Sequence, residues 1–442
     1  MLTTLAAPAF AGTWYIEDGN ITISAGTEAG TNKVEQAGKD TVDNDKDTII
    51  TNQNKDTASS NTVTIDAGSD KVEVTLKDVN IDTSSRNKAA VSVTGSGNTT
   101  IKLDGDNHLT GGNGIYSNSS LTISGDENDS LTAQGGDSRN GIYSVSGDVT
   151  ISGGTVTATG GNSTGSYGSG GDGIHSGSLT ISGGSTVKAA GGDSKDGYGG
   201  DGIRSSGSLT ISGGTVTANG DGGGSGIYSN GSVTISGGTV EAAGGNGSTG
   251  GGSGIYSSVI DLSGSLELTA KAGSPNGKAL SRAGSELELD TIKDKLDPGA
   301  KVTAINANGD SKQVSIPRPV EPEGPVIPEE SSSSSGGGSA APSAPAFSLP
   351  GLTVTDKSGA VIDSISTQSG NTLTVCVGRL TASFRISLAA LRQLRAEGIE
   401  TITFQTVLCS TTLSLDELLA MGGEDAEAVL THRFTDSSLT VG

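Results

Sequence analysis

The chain has 442 residues, with 49 acidic against 27 basic side chains and a formal charge of −22 at neutral pH. Nucleic-acid binding depends on clustered basic residues, so this charge balance excludes nucleic acid from the expected partners. Only 32% of the residues are hydrophobic and 3% are aromatic, while 71 are glycines. Such a composition would leave a globular domain of this length short of core, but it suits a solenoid that buries a few small side chains per coil.

The first eleven residues have the features of the end of a secretory signal peptide. Ala9-Phe-Ala11 fits the small-residue cleavage rule, although the basic start and most of the apolar stretch are missing. We interpret residues 1–11 as a truncated signal remnant and expect a secreted or cell-surface protein; the alternative is an N-terminal tail. No later segment approaches the ~20 apolar residues of a membrane span, so no membrane insertion is expected.

Alternating short segments follow, and they predict β-strands. They are 61–66, 71–76, 90–93 and 99–103, and each places β-branched or aliphatic residues at every second position. We expect a β-helix over residues 12–316, with irregular ends that cap the exposed core. Trp14, the only tryptophan, is a candidate for the plug at the first end.

Six copies of the phrase Gly-Ile-Xaa-Ser mark the regular part of the solenoid. They begin at Gly114, Gly141, Gly173, Gly202, Gly226 and Gly254. In the fifth copy three short strands can be distinguished, 226–229, 232–236 and 239–243, and their alternation directs Ile227 and Val233 inward. Strands this short, joined by tight turns, leave no room for crossover helices, so equivalent strands of successive coils should pair in parallel. The prediction is a mainly β protein built on a right-handed, three-sheet parallel β-helix.

The residue after each Gly-Ile pair is expected to point outward, because the isoleucine points inward. These residues are Tyr116, Tyr143, His175, Arg204, Tyr228 and Tyr256, which we call the ladder. Strands ~4.8 Å apart would make it about 24 Å long, a length that suits a polymeric ligand. Tyr167 and Tyr198, in longer loops, are candidates to supply rings near His175 and Arg204. The alternative is that the outward rings only stack on neighbouring strands and support the sheet.

A second column precedes each Gly-Ile pair, and we call it the Asn/Asp column. Its members are Asn113, Asn140, Asp172, Asp201, Ser225 and Ser253. Oxygen donors on successive coils predict a Ca²⁺ site, with Asn113, Asn140, Asp172 and Asp201 as the candidate ligands. The alternative is that Asn and Asp stand here because they favour tight turns before glycine.

Catalytic patterns are scarce, and no catalytic residue is predicted. Most outward strand positions carry Thr or Ser, interrupted by Glu241 and Glu267. These two glutamates hold similar places in adjacent coils, so they are the one candidate pair for glycoside hydrolysis. The three histidines are scattered and form no metal triad.

The composition changes at Pro317. Residues 317–350 are rich in Pro, Glu, Ser and Gly, which predicts a linker that is stiff at its start and flexible later. Residues 351–442 predict a small α+β domain, with strands at 372–377 and 401–407 and a helix between them that begins at Ser387. Its two cysteines, Cys376 and Cys409, are either a disulfide or two free thiols.

The segments 70–81 and 88–93, with the Gly-Ile-Tyr-Ser and Leu-Thr-Ile-Ser-Gly-Gly repeats, resemble a family of secreted bacterial carbohydrate-binding domains. The resemblance covers about residues 13–310. It implies a right-handed β-helix like that of polysaccharide lyases, binding of cellulose-like or acidic polysaccharides, and bound calcium. The linker and the C-terminal domain lie outside it.

The leading hypothesis is a monomeric, non-catalytic protein that binds extended polysaccharide along the ladder. A second hypothesis is a calcium-dependent polysaccharide lyase or glycoside hydrolase that uses the same face. A third is a structural stalk or adhesin that projects the C-terminal domain and needs no site.

Overall fold

A computed structural model describes residues 11–165, 168–194 and 198–317, and residues 352–441 apart from 357–360, 363, 370, 378–380, 407–409, 422–425 and 433–436. The chain divides into two compact units between residues 319 and 320. The first is a parallel β-helix of about 11 coils, and a small α+β region follows it, as the sequence predicts. Residues 1–10 and the predicted linker from residue 318 lie outside the described residues.

Each coil contributes one strand to each of three sheets. Sheet 1 contains Ile21–Ala25, Val63–Asp66, Val91–Thr94, Ile115–Ser117, Ile142–Ser144, Ile174–Ser176, Ile203–Ser205 and Leu280–Arg282. Sheet 2 contains Ala11–Tyr15, Val42–Thr51, Lys71–Lys77, Asn98–Asp104, Leu121–Ser124, Val149–Ile151, Leu179–Ile181 and Leu209–Ile211. Two longer strands, Ile227–Ile235 and Ile255–Leu262, run through both of these sheets. Sheet 3 contains Asn80–Asp82, Asp106–Gly111, Ser130–Gly135, Thr155–Thr159, Thr186–Ala190, Thr215–Asn219, Thr239–Ala243, Glu267–Lys271, Lys301–Ile305 and Ser311–Ser315.

The core is a set of aliphatic columns. The isoleucine after each repeat glycine is fully buried: Ile115, Ile142, Ile174, Ile203, Ile227 and Ile255. Because these isoleucines pair directly with one another in the parallel register, each methyl group packs on the same group one coil away. The predicted inward and outward assignment is therefore confirmed on this sheet.

The serine of each Gly-Ile-Xaa-Ser phrase is also inside, where alternation alone places it. The column consists of Ser117, Ser144, Ser176, Ser205, Ser229 and Ser257, all fully buried. Ser229 Oγ donates to the Gly207 carbonyl at 2.7 Å, and Ser257 Oγ donates to the Gly231 carbonyl at 2.8 Å. Ser205 makes the same kind of contact with the Gly177 carbonyl, so these three serines fasten the turn between sheets 1 and 2 to the coil before it. Ser117 and Ser144 donate within their own turn, and Ser176 Oγ has no hydrogen-bond partner among the described residues.

The glycine of each Gly-Ile pair is required by close approach of the backbone. A Cβ at Gly202 would lie 2.6 Å from the Asn219 nitrogen and 2.7 Å from the Gly226 oxygen. No side chain fits there, because the sheet 3 strand of the same coil and the next coil both press on this corner. The repeat therefore keeps glycine at this position for space.

Antiparallel segments close both ends of the helix. Asn32–Gln36 pairs antiparallel with Ile21–Ala25 and with Val42–Thr51, beside the short 3₁₀ turn Ile16–Asp18. Trp14 is buried at this end and its Nε1 donates to Asp45 Oδ2 at 3.0 Å, in agreement with the predicted plug.

At the other end, Ser285–Glu286 and Ser311–Ser315 pair antiparallel with their neighbours. The 3₁₀ helix Leu289–Lys295 buries Leu289 and Ile292 against the core. A further 3₁₀ turn, Ser84–Arg86, lies in an early coil of the β-helix, between strands Asn80–Asp82 of sheet 3 and Val91–Thr94 of sheet 1. The exposed edges of the last parallel strands are thus covered, which limits pairing with other chains.

The C-terminal unit has two four-stranded sheets and two helices in its described residues. One sheet has the order Leu352–Thr355, Ala382–Ser387, Glu427–His432 and Ser437–Val441, and the other Ile365–Ser369, Thr372–Cys376, Thr401–Gln405 and Ser410–Ser414. The helices are Leu388–Ala396 and Leu415–Met421. Ser387 Oγ accepts from the Ala390 N–H, which confirms the predicted helix start. Cys376 is half-buried and Cys409 lies outside the described residues, so their pairing stays untested.

Candidate functional site

The six ladder residues lie in one register on sheet 1. Tyr116 pairs with Tyr143, Tyr143 with His175, and so on through Arg204 and Tyr228 to Tyr256. All six side chains are partly exposed. The parallel strands impose this alignment, because equal residues of successive coils stand directly above one another.

The first half of the ladder is held by edge-to-face contacts. The Tyr116 and Tyr143 ring centres are 5.8 Å apart with their planes at 62°, and the Tyr143 and His175 centres are 5.1 Å apart at 71°. Aromatic pairs favour this geometry because the positive ring edge meets the negative ring face. Tyr116, Tyr143 and His175 therefore form a continuous, internally packed row.

The second half is stacked in parallel. The Tyr228 and Tyr256 ring centres are 5.0 Å apart with planes only 5° from parallel, and Arg204 Cζ lies 4.6 Å from the Tyr228 ring centre. Rings stacked along the solenoid axis cover one another's faces, so a ligand beside them meets ring edges and hydroxyl groups. The sequence suggests that the ring faces stack on the ligand. In the structure these faces are covered, and the ring edges are the surfaces left for contact.

An open ring face is expected only where the ladder ends. Beyond Tyr116 the column continues with Ser92 and Thr64, and beyond Tyr256 it continues with Ser281. These side chains are too small to cover an aromatic ring. The ends of the ladder are thus the places where a sugar ring has room to stack.

A groove of about 360 Å³ lies at the Tyr116 end, and we call it the Tyr116 groove. Tyr116, Ser92, Lys88 and Arg139 line it, together with Thr64 and neighbouring residues. Lys88 and Arg139 are exposed, and within the described residues neither forms an ion pair. Two cations beside a tyrosine in a strongly acidic chain make this groove suited to a carboxylate or sulfate group.

The Asn/Asp column fastens each coil to the next. Asn113 Oδ1 accepts from the Asn140 N–H at 3.0 Å, Asn140 Oδ1 from the Asp172 N–H at 2.7 Å, and Asp172 Oδ1 from the Asp201 N–H at 2.8 Å. Asp201 Oδ1 continues the series by accepting from the Ser225 N–H at 2.6 Å. These hydrogen bonds agree with the alternative to the Ca²⁺ site, in which Asn and Asp occupy the column because they stabilise the tight turns before glycine.

The second carboxylate oxygens of the column bind ladder residues. Asp172 Oδ2 lies 2.9 Å from His175 Nδ1, and Asp201 Oδ2 accepts from Arg204 at 3.0 Å. Both oxygens of each carboxylate therefore have protein partners. Among the described residues no group of three or more His, Cys, Asp or Glu side chains is arranged to hold a metal ion. The predicted Ca²⁺ site stays a prediction.

Burial raises the pKa of Asp201 from 3.8 to about 6, and the nearby charge of Asp172 adds to this rise. The Ser225 N–H and the Arg204 guanidinium oppose the shift because they stabilise the carboxylate. Asp201 is only 6% exposed. The column thus contains a carboxylate whose ionisation is costly inside the folded solenoid.

The remaining predicted residues are not joined to the ladder. Tyr198 is 70% exposed, and no contact of its ring with another ring or a guanidinium is found in the described part of the chain. Tyr167 lies outside the described residues. Their contribution to the ladder remains untested.

The suggested glutamate pair is wrong in its register. Glu267 pairs with Thr239, whereas Glu241 pairs with Thr269, so the two carboxylates stand in different columns of sheet 3. Glu267 also lies 3.7 Å from Lys301 Nζ. Glu267 is the first residue of its strand and Glu241 is the third residue of its own, so the two carboxylates are offset by two residues.

The structure contains a cavity that the sequence did not predict. It has a volume of about 660 Å³ and lies near the first end of the β-helix, lined by residues 25–32, Asp70, Lys102 and others. Lys102 Nζ is 2.6 Å from Glu73 Oε1 there. The loop between Ala25 and Asn32 forms one wall, and its irregular spacing relative to the repeats was the only available signal.

No family model, curated protein or solved structure matches this chain. Within the described residues no helix is both long enough and apolar enough to cross a membrane. The geometry of the ladder and its surroundings is therefore the basis for inferring a function.

Proposed function

We propose that this protein binds an extended polysaccharide along the ladder, with its main anchoring point in the Tyr116 groove. The observation that carries the proposal is the in-register row of six partly exposed aromatic, imidazole and guanidinium side chains. A linear row with a repeat of ~4.8 Å suits a linear ligand better than a compact one. A secreted or cell-surface location, inferred from Ala9 to Ala11, belongs to the same proposal.

The roles differ along the row. At the Tyr116 groove, one ring stacks on a sugar while Lys88 and Arg139 attract its acidic groups. Along Tyr143, His175, Arg204, Tyr228 and Tyr256, hydroxyl, imidazole and guanidinium groups donate and accept hydrogen bonds at the ring edges. One stacked ring contributes ~0.5 to 1.5 kcal/mol beyond burial, so hydrogen bonds from several further rungs are needed for micromolar to millimolar affinity. Short sugars should bind weakly, and longer chains more tightly.

The test is isothermal titration calorimetry with oligosaccharides of increasing length from acidic and neutral glycans. Replacing Tyr116, Tyr143, Tyr228 and Tyr256 together by Ala should abolish binding and leave the circular dichroism spectrum unchanged, because the four rings lie outside the core. The matched control replaces Thr150 and Thr180 by Ala, since both point outward in register on sheet 2.

Equal binding by the tyrosine variant and the parent would show that the ladder only supports the sheet. Release of unsaturated uronides, detected by ultraviolet absorbance, would instead support the lyase. Failure of the parent to retain any glycan would support the structural stalk.

A further inference from the structure

Asp172 and His175 of one coil and Ser206 of the next coil form a chain of polar contacts. Asp172 Oδ2 lies 2.9 Å from His175 Nδ1, and His175 Nε2 lies 3.5 Å from Ser206 Oγ. We propose that Ser206 is an activated nucleophile for acyl transfer, with His175 as its general base and Asp172 as the residue that orients the imidazole. The geometry required is a nucleophile beside a base that a third group holds in place.

The contacts assign each ring nitrogen a role. With His175 neutral, Nδ1–H donates to Asp172 Oδ2, which leaves the lone pair of Nε2 to accept the Ser206 hydroxyl proton. Asp172 is itself fixed, because its Oδ1 accepts from the Asp201 N–H at 2.8 Å. The Tyr143 ring packs against the imidazole at 5.1 Å and limits its rotation. The imidazole is therefore oriented before any substrate arrives.

Exposure increases from the acid to the nucleophile. The side chains of Asp172 and His175 are 13% and 21% exposed, and Ser206 is exposed to solvent. A carboxylate that is shielded from water makes a stronger hydrogen bond to the imidazole. An exposed hydroxyl can be reached by an ester that projects from a large substrate. A distance of 3.5 Å between nucleophile and base is within the range that tightens when substrate binds.

Ser258, which holds the equivalent position in a later coil, lacks the histidine that Ser206 contacts. Ser258 occupies the same position after Ile255 that Ser206 occupies after Ile203, and it is also exposed. Its Oγ donates to the Gly231 carbonyl at 2.6 Å, and the preceding coil offers Tyr228 where Ser206 has His175. Ser258 is thus a matched serine without a base.

The reaction is hydrolysis of an oxygen ester by two acyl transfers. Ser206 Oγ attacks the carbonyl carbon while its proton passes to His175 Nε2; the ester C–O bond breaks, and the leaving alcohol takes that proton. Water then attacks the acyl-serine with His175 again as base, which releases the carboxylic acid and restores the serine. The open setting of Ser206 favours small acyl groups such as acetyl esters on a polymer. An ester on a polysaccharide would rest on the proposed function, but the reaction with a free ester does not.

The experiment uses the full chain with 4-nitrophenyl acetate as substrate and a fluorophosphonate probe, followed by peptide mass mapping. We expect labelling of Ser206, and a hydrolysis rate about 100-fold or more lower in Ser206→Ala and in His175→Ala. Asp172→Asn keeps an oxygen for the Asp201 N–H but should also lower the rate. Ser258→Ala should hydrolyse and label as the parent does.

Three results would overturn the proposal. They are an unlabelled parent, equal labelling of Ser258, and undiminished hydrolysis by Ser206→Ala, since the last would make His175 itself the acylated group. Glycan titrations on the same variants separate this outcome from failure of polysaccharide binding.

Discussion

Replacement of Asp201 by Asn isolates the cost of a buried charge in the solenoid. In the parent the Asp201 pKa rises from 3.8 to about 6, chiefly through burial. Asn keeps an oxygen that can accept from the Ser225 N–H, as Asn140 and Asn113 do for their own neighbours in the same column. The substitution thus removes the charge and preserves the coil-to-coil hydrogen bond.

The direction of the pH effect follows from the raised pKa. The folded state favours the protonated acid, so the stabilising contribution is complete below pH 3.8 and is lost as the pH rises through about 6. A shift of this size corresponds to about 3 kcal/mol, at 1.36 kcal/mol for each tenfold change in the proton equilibrium. In the variant, Arg204 faces an amide nitrogen instead of a carboxylate; its side chain is 39% exposed and can turn to water, which costs about 1 kcal/mol or less.

We therefore expect Asp201→Asn to be about 2 kcal/mol more stable than the parent at pH 8 and to lose that advantage at pH 4. The measurement is urea unfolding followed by far-ultraviolet circular dichroism at both pH values; the other carboxylates and the C-terminal unit cancel in the difference. The converse variant, Asn140→Asp, should be destabilised at pH 8 more than at pH 4. A parent-to-variant difference that does not change with pH would refute the assigned cause.

Three further predictions concern the core, the groove and calcium. Ile203→Asp should lower the stability of the β-helix by several kcal/mol because it buries a charge, whereas the outward Thr210→Asp should change the melting temperature little; equal losses would contradict the inward assignment. The double variant Lys88→Ala, Arg139→Ala should weaken binding of an acidic glycan about tenfold or more and leave a neutral glycan unaffected, as calorimetry would show; equal losses on both would remove the charge-based role. Millimolar calcium should raise the melting temperature if the predicted site exists, and Asp172→Ala should reduce the rise; no response in the parent would remove the site.

The sequence determined the architecture because six repeats carry the same pattern of inward, outward and glycine positions. Gly-Ile-Xaa-Ser combines an inward isoleucine, an outward side chain and a glycine at a crowded corner, and any other register would bury Tyr143 or expose Ile142. Direct stacking of the ladder residues follows from the same parallel register. The fold and the in-register ladder were thus within reach of alternation and spacing alone.

Only the tertiary structure decided how the outward residues meet. Alternation gives the side of a strand but not the rotamer, so it did not distinguish the stacked pair Tyr228 and Tyr256 from the edge-on pair Tyr116 and Tyr143. The pairing register was also not evident from the sequence, because the turn before Glu267 is one residue longer than the turn before Glu241, and the two glutamates are offset by two residues in the sheet.

The contact between His175 and Ser206 shows the same limit at the candidate nucleophile. Ser206 belongs to the turn after its strand, 31 residues from His175. Its hydroxyl reaches the imidazole because the two coils stack and because Asp172 turns the ring. The sequence repeat fixes which backbone positions are neighbours, whereas side-chain torsions and turn geometry, set by local packing and hydrogen bonds, decide which functional groups touch.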